Sequence, residues 1–461
     1  MALGIFEDID FMVLTSLITI GDADPINPMI INNPVYMTEV GNISIDDSYK
    51  TLINTATVSF PKGSVFNKDI IRGFTDDGTI SGEVIQKTMS SDNIYTSRSK
   101  NVIVEKTVSQ NAVSKDAFKV GQRISIKIGY NGKLKRMFEG YISGIIPESE
   151  ITLKCENMAR ILKTKQAPKI TVPTATATVS NICGEKYNLL KGTGLELHSE
   201  TKKYNINVGE LVISDNFTIF DVFQAWSRSQ VYVFLKFEDN DNSSMPKLAI
   251  AQPYSSANRN EGVKPIDSAI LIDFQYHVTN NGLSFEISDP MFLAVQGTGV
   301  MKNGKFFSLT VRKNPEYNPS NPNSKKYQTV NATQFSKAQQ KKTGNATAIG
   351  AENKTKVDLS TYTIIPYVSK KYGISSEELR DECITWFETY QDNGVEGSIT
   401  ILGDYGLSSA SMINVVDNIN SDKNGIYIVE EVKTEFGING YKQTLKIPYR
   451  VKRTEKWAVN K

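Results

Sequence analysis

The stretch from Lys119 to Glu156, KVGQRISIKIGYNGKLKRMFEGYISGIIPESEITLKCE, constrains the fold more than any other part of the chain. Val120, Ile124, Ile126, Ile128 and Tyr130 share one parity and Arg123, Ser125 and Lys127 the other, the alternation of a strand with one buried face. Asn131-Gly132 follows, and both residue types accept the positive φ that a two-residue hairpin turn requires. The return strand, Arg136 to Ile146, carries Phe138, Gly140, Tyr141 and Ile142. Beyond Pro147 a third strand alternates Ile151, Leu153 and Cys155 with Thr152, Lys154 and Glu156. The run predicts consecutive antiparallel strands and contains nothing that reads as chemistry.

A shorter echo lies near the other end of the chain. Ser398 to Leu402 and Ile426 to Phe436 read as strands, Gly437 to Gly440 as a hairpin turn, and Tyr441, Leu445 and Ile447 alternate with Lys442, Thr444 and Lys446. Asn424-Gly425 is a turn signal that enters a strand from a loop. Upstream, Ile43 and Ile45, then Ala56, Val58 and Phe60, predict strands that pair with the opening stretch. Two helices carry capping boxes. Thr218 and Asp221 start one whose apolar face is Ile219, Val222, Phe223 and Trp226. Ser375 and Glu378 start another with Leu379, Cys383, Trp386, Phe387 and Tyr390, expected to dock on the final sheet. Strands are further expected at Val231 to Phe237, Lys247 to Gln252, Leu271 to Val278, Gly282 to Ile287, Phe292 to Gly297 and Phe306 to Val311.

At 461 residues the chain is long enough for about three domains. The expected fold class is β-rich α+β, with two tube-like antiparallel β-barrel domains flanking a mixed α/β middle region. The expected divisions are a Pro/Asn-rich N-terminal arm over 1–34 and a first tube-like domain over 35–163 with a polar insertion at about 74–117. A middle domain over 164–311 follows, opening with an aperiodic connection, KQAPKITVPTATATVSNIC. A polar linker or insertion over 312–357, a helix plus second tube-like domain over 358–450 and a basic tail over 451–461 complete the chain. The polar segment holds too few large apolar side chains to offset its own ordering entropy.

Composition narrows the function classes. With 52 basic and 50 acidic residues the net charge is +2, so no global field points to nucleic acid or an anionic membrane. Cys155, Cys183 and Cys383 are too few and too scattered for a disulfide framework, the pattern of a reducing assembly compartment. The apolar run Phe11 to Ile20 is too short to span a bilayer and follows acidic residues, so it reads as a strand or docking arm, with no stable membrane insertion. His198 and His277 sit in no metal-ligand pattern. Gly297, Gly299 and Gly304 lack a following helix to hold a phosphate and read as a turn. RVKRTEKW reads as a solvated tail rather than a nucleic-acid site. No catalytic, cofactor-binding or metal residue is assigned, and no cofactor is expected.

The run KVGQRISIKIGY…FEGYISGIIPESEITLKCEN resembles the first tube-type domain of bacteriophage tail (baseplate) hub proteins, the late control protein D-like family, which is similar to the hub part of VgrG. The shared pattern is strand, hairpin, "F-x-G-x-I" at Phe138, Gly140 and Ile142 with Tyr141 between, then a strand ending in "C-E-N". GIYIVEEVKTEFGINGYKQTLKI resembles the family's second such domain through Gly425, Tyr427, Val429, Val432, Tyr441 and Leu445. The resemblance implies a non-enzymatic structural hub in the virion tail, assembled in the host cytoplasm. It implies a homotrimer whose six similar domains form a ring that joins the hexameric tail tube to a trimeric spike or tail tip and lines the channel for DNA or effectors. Implied partners are the tail tube protein, the spike or tip protein, other baseplate proteins and, as a further candidate, the tape measure protein. It gives no counterpart for the 74–117 and 312–357 segments, and no spike or lysozyme domain is expected after Lys461. Two alternatives stand beside it: a tail-associated hydrolase of cell-wall or capsular glycan, and a glycan- or receptor-binding adhesin.

Overall fold

A computed structural model of the chain describes residues 13–24, 27–61, 65–66, 111–112, 118–147, 150–184, 186–214, 216–227, 231–238, 242, 244–251, 269–285, 293–302, 304–321, 323–335, 358–390, 395–403, 405–448 and 450–453. The expected 74–117 insertion falls outside these apart from a short strand. The first block forms β1 (Leu14–Ala23), β2 (Ile31–Met37), β3 (Asn42–Ser48), β4 (Thr55–Phe60), β5 (Val65–Phe66), β6 (Asn111–Ala112), β7 (Arg123–Tyr130), β8 (Lys133–Pro147) and β9 (Ile151–Asn157). Asn131 and Gly132 take φ of 50° and 80° and turn β7 into β8, as that dipeptide predicts. The segment expected as an arm contributes β1 and β2, and β1 pairs along its length with β7.

The middle of the chain forms α1 (Ile161–Thr164), β10 (Ile170–Val172), α2 (Val179–Cys183), α3 (Ser199–Tyr204), β11 (Leu211–Ile213), α4 (Ile219–Ser227), β12 (Tyr232–Lys236) and β13 (Lys247–Ala251). These enclose one hydrophobic core that includes Ile182, Phe223 and Trp226. The supposed aperiodic connection thus holds short elements whose apolar residues are buried there. The α4 capping box forms as expected: Thr218 N–H and Oγ1 donate to Asp221 Oδ2 at 2.9 and 2.7 Å, and Asp221 N–H returns a bond to Thr218 Oγ1.

The remainder forms β14 (Ile270–Asp273), α5 (Phe274–His277), β15 (Val278–Phe285), β16 (Leu293–Val300), β17 (Phe306–Lys313), β18 (Tyr327–Phe335), β19 (Thr363–Tyr372), α6 (Ser376–Tyr390), β20 (Val395–Leu402), β21 (Met412–Val416), β22 (Gly425–Ile428), β23 (Glu431–Gly437), β24 (Gly440–Ile447) and β25 (Arg450–Arg453). Ser375 and Glu378 cap α6 reciprocally. Four of these strands form a sheet in the order β18-β17-β16-β19, and four more the order β14-β21-β22-β25.

Several expectations are corrected. The two tube-like blocks are not separate barrels. They join in one eleven-stranded sheet, β15-β20-β24-β23-β3-β4-β9-β8-β7-β1-β2, and no sheet among the described residues is closed. The join forms because β23 and β3 pair over seven residues, from Glu431 opposite Ser48 to Gly437 opposite Asn42. A Cβ at Gly437 would stand 2.6 Å from Gly41 O, so glycine is what lets the two backbones meet there. Ile426 to Phe436 is not one strand but two, β22 and β23, which lie in different sheets. At the crossing, Val429 N–H donates to Ser411 O and Glu430 N–H to Lys446 O, which satisfies the backbone while it changes sheets.

Helix α6 does not dock on the final sheet; its Leu379, Cys383, Trp386 and Phe387 pack with Leu293, Val295 and Phe307 of β16 and β17. The cause is the glycine pair read as a turn. Gly297 and Gly299 lie inside β16 and leave the groove that the helix fills, while Gly304, at φ 78°, makes the β16–β17 turn. Part of the polar 312–357 segment is ordered as β18, where Tyr327 is buried in this core and Val330 is buried opposite Thr310. The expected basic tail begins as β25, and Arg450 is buried because its Nη1 donates to the carbonyls of Asp422 and Asn424.

Candidate functional site

The surfaces that distinguish this chain are the two faces of the eleven-stranded sheet. On the inner face of β3, β23 and β24, Ile43, Ile45, Phe436 and Tyr441 enter one hydrophobic core and Val432 and Leu445 another. Between the two cores lies a buried polar belt. Gln443 Nε2 donates to Leu407 O (3.1 Å) and Thr434 Oγ1 (3.2 Å). Asp47 accepts from Ser409 N–H (2.6 Å), Ser409 Oγ (3.1 Å) and the Asn54 amide. The belt thus ties the first block to the 407–411 loop of the second.

Burial pushes the Asp47 carboxyl up from 3.8 to about 6, against the pull of its hydrogen bonds to Ser409 and Asn54. An acid whose folded value is raised stabilises the fold most below its unfolded value, and that contribution is lost as pH rises through the folded one. The window here is pH 4 to 6 and the size at most about 3 kcal/mol. The urea midpoint is therefore expected to fall between pH 4.5 and 7.5, and Asp47→Asn to remove much of that fall. An equal fall in the variant would refute the assignment.

The opposite face holds what alternation alone missed. Arg123 and Ser125 are buried, not solvated. Arg123 Nη2 pairs with Glu139 Oε2 at 2.9 Å and its Nη1 donates to Gly140 O at 3.0 Å. Ser125 Oγ donates to Glu139 Oε1 at 2.5 Å, and Arg136 Nε stands 3.1 Å from the same oxygen. The Tyr141 ring covers the Arg123 guanidinium at 5.1 Å, and its hydroxyl donates to Pro28 O in the β1–β2 loop. Burial raises the Tyr141 phenol, opposed by Arg123 and Arg160. Counting back from the Asn-Gly turn pairs Ser125 with Glu139 only after a bulge at Ile126/Lys127, and that bulge was not legible.

Further along the same face, charges alternate across strands: Lys433 opposite Asp46, Glu435 opposite Lys442, and Glu431 opposite Lys446. Lys154 is exposed opposite Thr57, and Lys127 is half-buried.

The motif positions divide between cores. Phe138, Ile142 and Tyr441 belong to the first core, and Tyr427, Val429, Val432 and Leu445 to the second. Gly140 sits where a Cβ would meet Glu156 O at 2.2 Å, and Gly425 opens β22. Tyr427 donates its hydroxyl to Lys423 O, and Tyr141 and the Gly140 carbonyl meet Arg123 of the ion cluster. Among the described residues no group of three His, Cys, Asp or Glu is placed to hold a metal, and no helix is long and apolar enough to cross a membrane. Burial raises all three thiols, Cys155 to about 12, and lowers His198, whose Nε2 lies 3.0 Å from Phe237 O.

No family model and no curated protein matches the sequence. The structural neighbours are phage tail proteins and VgrG-containing complexes. The 43 kDa tail protein of prophage MuSo2 from Shewanella oneidensis aligns at 11% identity over 94% of this chain and 97% of that one, with a TM-score of 0.44. A tail protein from Neisseria meningitidis MC58 aligns at 8% identity over 94% and 96%, with a TM-score of 0.45. A Francisella PdpA-VgrG complex aligns at 10% identity over 96% of this chain and 54% of that one, with a TM-score of 0.42.

Proposed function

We propose that this chain is a structural, non-enzymatic hub subunit of a phage-type tail or related injection machine. Three copies form a ring in the baseplate, between a hexameric tail tube and a trimeric spike or tip, around the channel for DNA or effectors. Assembly takes place in the host cytoplasm, and the tape measure protein is a further partner.

The observation that carries the reading is the fused sheet. Two sheet blocks from opposite ends of one chain lie edge to edge through β3 and β23, over two cores of which the first also takes Phe436 and Tyr441 from the second block, so three copies offer six comparable wall segments. A subunit with two wall segments reconciles threefold with sixfold neighbours, and wall that continues between copies covers strand edges a monomer leaves open.

Electron microscopy and native mass spectrometry of the purified chain, alone and mixed with the tube and spike proteins, test the reading. A ring-shaped trimer is expected; a strictly monomeric particle in every mixture overturns it. Combined reversal, Lys127→Glu with Lys154→Glu, is expected to impair assembly or DNA passage and to shift stability by less than about 1 kcal/mol. Unchanged assembly and infectivity would remove these lysines from the working face.

A further inference from the structure

The turn between β3 and β4 reaches out of the eleven-stranded sheet, and its Leu52 and Ile53 pack on the core of the middle region. Between this turn, α1, α4 and β12 lies a cavity of about 290 Å³. Its apolar lining is Leu52, Ile53, Phe220, Phe223 and Val233, of which Phe223 and Val233 are buried. Lys50 and Lys163 also line it, and no Asp or Glu does. The turn is tied to the second block as well, since Tyr49 N–H donates to Glu430 O and Lys50 pairs with the Glu430 carboxylate. The cavity therefore lies where both blocks meet the middle region, and the wall role of the sheet makes no use of it.

The walls are held by their own hydrogen bonds. Thr51 Oγ1 donates to Asn54 Oδ1 (2.6 Å), Asn157 N–H to Asn54 O (2.9 Å) and Asn157 Nδ2 to Leu52 O (3.4 Å), and both asparagines are buried. The two ammonium groups also have fixed places. Lys50 Nζ meets Glu430 Oε2 at 2.5 Å, and Lys163 Nζ meets Glu156 Oε1 at 3.1 Å. Neither carboxylate serves one lysine alone: Glu430 also pairs with Lys446 (3.0 Å) and Glu156 with Arg160 (3.4 Å). The side chains of Lys50 and Lys163 stay 47% and 44% exposed, and an ammonium with three donors can hold a second anion beside the first. Lys163 Nζ stands 5.8 Å from the centroid of the Phe220 ring, which brings charge and apolar lining together at one place.

We propose that this cavity is the docking site for one aromatic side chain of a partner polypeptide whose neighbouring residues are acidic. Volume sets the size of the guest. A cavity of about 150 Å³ takes benzene, whereas whole small-molecule ligands occupy roughly 300–1,000 Å³. At about 290 Å³ the site fits an indole or phenol with a little flanking backbone. Phe220 and Phe223 offer it rings for edge-to-face contact. Charge sets the flanks. With two lysines in the lining and no acid, a carboxylate beside the aromatic residue gains a partner, and a basic flank is repelled. Walls that are already ordered keep the entropy cost of docking low. The site is separate from any contact between copies and does not depend on the hub reading.

Saturation-transfer NMR on the full chain with the peptide acetyl-Asp-Trp-Asp amide tests the site. Saturable transfer to the indole protons is expected, with acetyl-Lys-Trp-Lys amide at least tenfold weaker and acetyl-Asp-Ser-Asp amide not bound. Ser227→Phe, which adds a ring to the lining from the end of α4, is expected to abolish binding. Lys50→Gln with Lys163→Gln is expected to weaken binding at least fivefold and to leave the thermal midpoint unchanged, because both side chains are exposed. The lysine pair decides the matter should Ser227→Phe fail to fold. No transfer to the acidic aromatic peptide, equal binding of either control peptide, or a folded variant that binds like wild type overturns the site. Indole-3-propionate that binds as tightly as the peptide would assign the cavity to a free aromatic acid and overturn the polypeptide guest.

Discussion

Glu139→Leu is expected to destabilise the chain by about 3–5 kcal/mol. The carboxylate is buried and serves Arg123, Ser125 and Arg136 at once. Arg123 is itself fully buried, so removal of its counter-charge leaves a guanidinium with neither water nor an anion. The pair need not add net stability, since bringing both charges out of water costs about as much as their attraction returns. Arg123→Met combined with Glu139→Leu is therefore expected to recover at least half of the loss, although Arg136 still loses a partner. Guanidinium unfolding of the three proteins decides the matter. A Glu139→Leu protein within about 1 kcal/mol of wild type would show that the cluster is not closed to water.

Gly297→Ala is expected to cost about 2–3 kcal/mol and to be relieved by a second substitution on another element. A Cβ at position 297 would stand 2.2 Å from Cys383 Sγ and 3.4 Å from Leu379 Cδ1, in a core where Cys383 and Leu379 are fully buried. Helix α6 must then lift from β16, at the cost typical of an overpacked core. Cys383→Ala removes the atom that clashes and by itself costs on the order of 1 kcal/mol. The double variant is expected to be more stable than Gly297→Ala alone, because the new methyl occupies the space of the lost sulfur. A double-mutant cycle in urea should give a coupling of about 1–2 kcal/mol. Strict additivity would place the strain elsewhere.

Local signals were legible where the chemistry is local. Asn131-Gly132 specified its turn because few residues tolerate positive φ, and Thr218 with Asp221 and Ser375 with Glu378 specified helix starts because each box satisfies donors within three residues. Alternation put Val120, Ile124, Ile126, Ile128 and Tyr130 on one buried face; the three isoleucines are buried and Tyr130 half-buried, but Val120, ahead of the start of β7, is exposed. It misplaced Arg123 and Ser125, because period two says which residues share a face and not whether the far face is covered. Gly297 and Gly299 were misread for a similar reason: a glycine pair marks close approach, and its partner, α6, lies about eighty residues away.

What the amino-acid sequence by itself determined is the inventory of strands, turns and capped helices, each set by side-chain period, φ tolerance and short-range hydrogen bonds. Only the tertiary structure decided how they are shared out. Two blocks that read as separate tube-like domains are one sheet, a strand read as continuous serves two sheets, and a helix leaves its neighbours in sequence for a glycine groove. The physical reason is that strand edges carry the same backbone donors and acceptors whatever their sequence. Which edges meet is settled by burial, close backbone approach and register over hundreds of residues, and no local pattern encodes it.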